Sequence, residues 1–172
     1  MARKPVARKR DGTYVLRLDD AMTGLLTALV DQLDPLLDDP SADRGLRRLF
    51  PPAHTDDVLA EAAWEIEQGG RLRDARRAAL EVVRTAGGEP LTEDQLVAWV
   101  QGVNALRLVL AERLDVDGDE EHEATTLERA WAVAQDPTAD PARRDEAVRL
   151  VHMWQVYEVL GYLLHHAVEA LD

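Results

Sequence analysis

Hydrophobic residues recur along most of the chain at three- and four-residue steps, the period of an amphipathic helix, and a short run near the start follows a different pattern. That run is residues 13–18, Thr-Tyr-Val-Leu-Arg-Leu, β-branched and aromatic, behind the turn pair Asp11-Gly12. It predicts a short strand within 11–18, paired with residues 6–10 as a hairpin. Asp19 or Asp20 then offers a carboxylate to a free backbone N–H and opens a helix over 19–34. Its apolar face is Met22, Leu25, Leu26, Leu29, Val30 and Leu33. Residues 35–54 break the period. Pro35, Pro40, Gly45, Pro51 and Pro52 fall there, and paired prolines force an extended path, so an ordered loop with one helical turn at 41–49 is expected.

Residues 55–114 predict three helices. The first begins at Thr55 with Asp56 and Asp57 in its first turn and stops at Gly69-Gly70. It is expected to turn Val58, Leu59, Ala62, Ala63 and Ile66 inward. The second spans 72–86 over Leu72, Ala75, Ala79, Leu80 and Val83, and closes at Gly87-Gly88. Thr92 and Gln95 form a capping box for the third, 93–114, whose seam is Leu96, Trp99, Val100, Val103, Leu106, Leu110 and Leu114. At 1.5 Å per residue it is about 33 Å long. An acidic loop at 115–122 leads to a shorter helix over 123–135, with Leu127, Ala130, Trp131 and Ala134 on one side.

Asp140, followed by Pro141, caps the last helix, 140–171. One apolar seam there is Leu150, Trp154, Tyr157, Gly161, Leu164, Val168 and Leu171; a second is Met153, Val156, Leu160, Leu163 and Ala167. Two adjacent seams suit the central post of a bundle or a helix shared with another subunit. Gly161 costs about 1 kcal/mol relative to alanine inside a helix, which points to close approach by a neighbour. The expected fold is mostly α: one domain over 1–172, a bundle of about six helices with a small N-terminal β element.

Charge sharpens this picture. The 172 residues carry 20 basic and 33 acidic side chains, a net charge of −13. The first 17 hold Arg3, Lys4, Arg8, Lys9, Arg10 and Arg17 against Asp11 alone, a local +5, which leaves −18 for the remaining 155. Such a body repels phosphate backbones, so nucleic acid is expected to be touched only weakly and only through residues 1–17. The bland role for the basic arm at 1–10 is a solvated tail or a charged guard on a strand edge. The chain has no cysteine, hence no disulfide, thiolate nucleophile or zinc–thiolate site. No apolar run approaches the roughly 20 residues of a membrane span, and a cytoplasmic location is expected.

Candidate chemistry falls away on inspection. Asp115-Val116-Asp117-Gly118-Asp119-Glu120 resembles the start of a calcium loop, but Glu120 stands where glycine is needed and Thr126 where the bidentate glutamate is needed. His122-Glu123 lacks a second histidine four residues on. His165 and His166 point about 100° apart on a helix, which argues against a shared metal. Ser41 is the only serine, and no glycine-rich phosphate loop occurs. No catalytic residue, cofactor or metal ligand is therefore assigned. A hydrolase using paired carboxylates with His54 or His152 remains a distant rival. Arg71, Arg73, Arg76, Arg77 and Arg84 form a basic group that either pairs with nearby acids or docks a protein through Arg73, Arg76 and Arg77.

Several segments resemble the small actinobacterial family of AosR-like proteins. The resemblance rests on Gly12-Thr13-Tyr14-Val15-Leu16-Arg17-Leu18 and on Arg47-Arg48-Leu49-Phe50-Pro51-Pro52-Ala53-His54 with Asp56-Asp57. Thr92-Glu93-Asp94-Gln95, then Gln101-Gly102-Val103-Asn104 with Leu106-Arg107-Leu108, carries it further, and Val156-Tyr157-Glu158 with Leu160-Gly161-Tyr162-Leu163 ends it. It is weakest over 116–150. The resemblance implies a non-enzymatic cytoplasmic regulator, with a sigma factor or RNA polymerase component as protein partner, and the apolar surface of the last helix points to a homodimer. A thiol switch would suit that role, and this chain cannot have one. Candidate contact residues are Leu49, Phe50, Pro51 and Pro52 in the proline loop and Asn104 and Arg107 on the long helix. The rival regulatory reading is direct DNA binding through the basic arm.

Overall fold

In the computed structural model, which describes residues 4–172, the chain opens with the hairpin that its alternation predicts. Strands β1 (Val6–Arg8) and β2 (Tyr14–Leu16) pair antiparallel, with Val6 opposite Leu16 and Arg8 opposite Tyr14. Asp11 makes the turn by accepting from the Thr13 N–H at 3.0 Å and the Thr13 hydroxyl at 2.6 Å, while Gly12 takes φ +84°. Residues 1–3 of the expected basic arm, Arg3 among them, lie outside the described residues.

Helix α1 (Asp20–Leu33) is capped by Asp19, whose carboxylate accepts from the Met22 N–H at 2.8 Å. It buries Leu26, Val30 and Leu33. The proline-rich stretch forms three 3-10 turns, Asp34–Asp38, Pro40–Ala42 and Arg44–Leu46, in place of the single turn expected at 41–49. Leu37, Leu46 and Leu49 pin it to the core. Glu112 holds it from the other side, with Arg48 at 3.0 Å, Arg44 at 3.7 Å and Arg47 at 3.8 Å, and Arg48 also donates to the Val116 carbonyl.

The next segment departs most from expectation. Helix α2 (Val58–Trp64) is capped by Asp57, continues through a π turn (Glu65–Gly69) and runs into α3 (Gly70–Thr85). Gly69 and Gly70 are helical, at φ −58° and −62°, so the glycine pair does not stop the helix. Such a turn, with its i→i+5 bonding, carries the helix on while shifting its faces. The inward face assigned to Val58, Leu59 and Ile66 is also reversed: these side chains are 83%, 83% and 85% exposed. The half-buried positions are Ala60, Glu61, Trp64 and Gln68, a stripe on another side of the same helix.

Helix α4 (Glu93–Arg113) starts with the predicted capping box: Gln95 N–H donates to Thr92 Oγ1 at 3.2 Å, and Thr92 N–H to Gln95 Oε1 at 2.9 Å. It packs against α3, against the last helix and against α1, and so takes the central place that sequence reasoning assigned to the last helix. Its meeting with α3 is close because Gly102 has no side chain: a Cβ there would stand 2.5 Å from Val83 Cγ2 and 2.6 Å from the Ala79 carbonyl oxygen. Helix α5 (Glu120–Gln135) begins three residues earlier than predicted, with Asp119 as its cap. Trp131, expected inward, is 41% exposed. Helix α6 (Pro141–Leu171) is capped by Asp140 and has Pro141 at its first position. It buries Val151, Trp154, Tyr157, Leu160, Leu163 and Ala167, and its outer seam leaves Val168 48% exposed. The close neighbour of Gly161 is the Arg107 guanidinium, 3.4 Å from where a Cβ would sit. Among the described residues no helix is long and apolar enough to cross a membrane.

Candidate interaction site

The outward aliphatic face of α2 holds the most exposed large hydrophobic side chains among the described residues. It borders a groove of about 480 Å³ lined by Phe50, Pro51, Trp64, Ile66 and Arg73, with Asp38, Glu61 and Glu65 at its edges. Three of the residues singled out in the sequence, Phe50, Pro51 and Arg73, thus come together here. Trp64 and Ile66 were missed as site residues, and their signal was present: an aliphatic set and a tryptophan at separate helical positions cannot all face one core. The α2 cap builds the local geometry. Asp57 accepts from the Leu59 and Ala60 N–H groups at 3.0 Å each, and Glu61 accepts from the His54 N–H at 2.6 Å.

Other predicted positions are occupied within the fold. Leu49 is fully buried and Phe50 half-buried against the core, while Pro52 is exposed outside the groove lining. Arg77 bonds Asp34 at 2.7 Å and Asp38 at 2.8 Å. Arg84 reaches Glu81 at 2.6 Å, Asp31 at 3.0 Å and Asp34 at 3.5 Å. Arg73 donates to the Asp38 carbonyl at 3.3 Å. Arg76 is half-buried, and its Nε is closed off with no hydrogen-bond partner among the described residues. The basic group therefore serves mainly to tie α3 to α1 and the first 3-10 turn. The Arg77 hydrogen bond is the largest influence and holds the Asp34 carboxyl below its ordinary range; burial opposes it, and the charge of Arg77 with the hydrogen bond and charge of Arg84 adds to the lowering.

Arg107 points inward. Its guanidinium lies 4.3 Å over the Tyr157 ring, Nη2 donates to the Tyr157 hydroxyl at 2.8 Å, and Nε is buried beside Gly161. Asn104 is half-buried on the same helix. Arg107 thus braces α4 against α6, and neither position joins the α2 groove.

Two further groups take shape only in three dimensions. Residues 4–17 lie against the body: Lys4 pairs with Glu169 at 3.2 Å, Lys9 with Asp11 at 3.5 Å, and Arg8 sits 5.7 Å over the Tyr14 ring. At the same end, His165 and His166 converge despite their separation around the helix. His166 Nδ1 is 2.7 Å and His165 Nε2 3.8 Å from the same Glu169 oxygen, and one donor atom from each of the three lies within 4.8 Å of the others. Side-chain torsions restore the proximity that backbone geometry argued against. Lys4 already places a cation on that carboxylate, so the group reads as a clamp between the chain start and α6. The hydrogen bonds from His166 and then Lys4 hold Glu169 below its ordinary range. His54 and His152 are exposed, and among the described residues neither has a carboxylate within ion-pair reach.

A helical bundle with one β-hairpin against its last helix, and an exposed aliphatic face on α2, is the class that this architecture defines. Residues 3–171 match the family described as a domain of unknown function (DUF2017), and the chain belongs to that family. No curated protein and no solved structure matches it.

Proposed function

We propose that the chain is a non-enzymatic regulatory or adaptor domain of the cytoplasm that works through protein contacts, with a sigma factor or another transcription component as partner. The observation that carries this reading is the outward face of α2. Val58, Leu59 and Ile66 are each more than four-fifths exposed, although fully burying such a side chain is worth roughly 1.5–3 kcal/mol. Large aliphatic side chains held this exposed on one short segment are a frequent mark of a protein interface. The groove beside it adds Phe50, Pro51, Trp64 and Arg73, of which tryptophan and arginine are frequent binding hot spots. The transcription partner comes from the resemblance to AosR-like proteins; with no cysteine in the chain, any trigger works without a disulfide.

Binding of the purified full chain to sigma factors and to RNA polymerase holoenzyme tests this reading, by interferometry and with Leu59→Asp/Ile66→Asp alongside. The expected result is saturable binding that weakens at least about tenfold in the variant, a change near 1.4 kcal/mol. Absence of binding to every transcription component removes the partner, and equal binding by the variant removes α2 as the surface. Affinity for random duplex DNA that falls steeply with salt and vanishes on deleting residues 1–10 would favour the DNA-binding rival instead.

A further inference from the structure

Two surfaces of this chain lack a covering neighbour and complement each other. The first is the α2 face. Between Asp56 and Glu67 the chain carries five acidic residues and no basic one, and Glu65 and Glu67 are exposed beside Ile66. The second is an open groove of about 610 Å³ between α5 and α6, within the size range of ordinary ligand pockets. Val133, Leu150 and Met153 line it with apolar surface, and Arg113, Arg129, Arg143 and Arg149 line it with charge against the single acid Glu146. In a chain of net charge −13 this is a local reversal of sign. Asp43 holds Arg113 at 3.1 Å, whereas Arg129, Arg143 and Arg149 make no ion pair among the described residues.

We infer that the α5–α6 groove receives α2 of a second copy of this chain. The inference rests on the reading of α2 as a contact surface and names what covers it when no other partner is bound. An acidic helix with an aliphatic stripe matches an arginine-lined cleft with an aliphatic floor in both respects, as in helix-in-groove recognition. Guanidinium groups in pairs suit carboxylates, and such contacts set register and weaken with salt. Because each copy carries both surfaces, reciprocal docking closes a two-fold dimer, while a single contact propagates head to tail. The fit also gives Arg129, Arg143 and Arg149, which share one groove and make no ion pair among the described residues, carboxylates to meet.

The experiment is light scattering coupled to gel filtration, with sedimentation velocity, on the full chain over a concentration series. The wild type is expected to self-associate, and to do so less at high salt. Leu59→Asp/Ile66→Asp and Arg143→Glu/Arg149→Glu each target exposed or half-exposed positions, and each is expected to weaken association at least about tenfold with helicity unchanged. Glu65→Arg/Glu67→Arg is expected to weaken it alone and to restore it when mixed with Arg143→Glu/Arg149→Glu. A monomer throughout the series, association that neither variant alters, or failure of the charge-reversed pair to recover overturns the inference. Those outcomes leave the sigma-factor measurement untouched, so loss of self-docking and loss of the contact reading are read separately.

Discussion

Gly102→Ala adds one methyl group where α3 and α4 touch. The new Cβ would lie 2.5 Å from Val83 Cγ2, 2.6 Å from the Ala79 carbonyl oxygen and 3.0 Å from its carbon. Val83 can rotate, but the Ala79 backbone cannot withdraw without moving α3. Overpacking of this kind costs about 1–3 kcal/mol, and a backbone obstacle places it toward the upper end. Alanine returns up to about 1 kcal/mol of helix propensity. The net loss expected is thus about 2 kcal/mol, or roughly 4–8 °C in Tm for a chain of this size. Urea and thermal unfolding of the variant measure it. Two controls isolate the cause. At Gly24 a Cβ would meet nothing within 4 Å, and at Gly161 it would sit 3.4 Å from Arg107 Nε, an ordinary contact, so alanine at either position is expected to be neutral or to stabilise by up to about 1 kcal/mol. A Gly102→Ala protein as stable as wild type, or a Gly161→Ala protein equally weakened, would refute the packing argument.

Leu49→Ala empties a fully buried site and is expected to cost about 2–5 kcal/mol, while Pro52→Ala, at an exposed loop position, should change unfolding by less than about 0.5 kcal/mol. Arg107→Met is expected to destabilise by roughly 1–3 kcal/mol because it removes both the Tyr157 hydrogen bond and the cation–π contact; Tyr157→Phe should lose only the hydrogen-bond share. The lowered pKa of Asp34 makes its contribution fully present above its ordinary value near 3.8 and lost as pH falls through the lower folded-state value. Asp34→Asn should therefore flatten the acid limb of a stability–pH curve below about pH 4.

Local chemistry was the legible part of this chain. Asp19, the Thr92–Gln95 box and Asp140–Pro141 act within four residues of themselves, and each cap forms as its spacing predicts. The hairpin follows for the same reason. Direction was harder to read. Periodicity in α2 identifies an aliphatic stripe, but the neighbour that would cover it is a tertiary fact, and Trp64 rather than Ile66 turns toward the body. Gly69-Gly70 carries a stop signal that the continuous helix overrides, and the π turn ahead of it shifts the faces. Arg107 illustrates the same limit: charge suggested a surface role, whereas the Tyr157 ring and hydroxyl on α6 hold its guanidinium inward. The α5–α6 groove assembles arginines from positions 113 to 149, a spacing without any local motif.

The account depends above all on which way α2 faces, and the absence of cysteine allows a clean measurement. Single-cysteine variants Ile66→Cys and Trp64→Cys can be labelled with a maleimide in dilute solution, with the labelling rates compared to those of the unfolded chain. The account predicts that the thiol at 66 reacts nearly as fast as in the unfolded chain while the thiol at 64 is slowed, and that 66 becomes protected as protein concentration rises. A protected thiol at 66 and a fast one at 64 in dilute solution would contradict it.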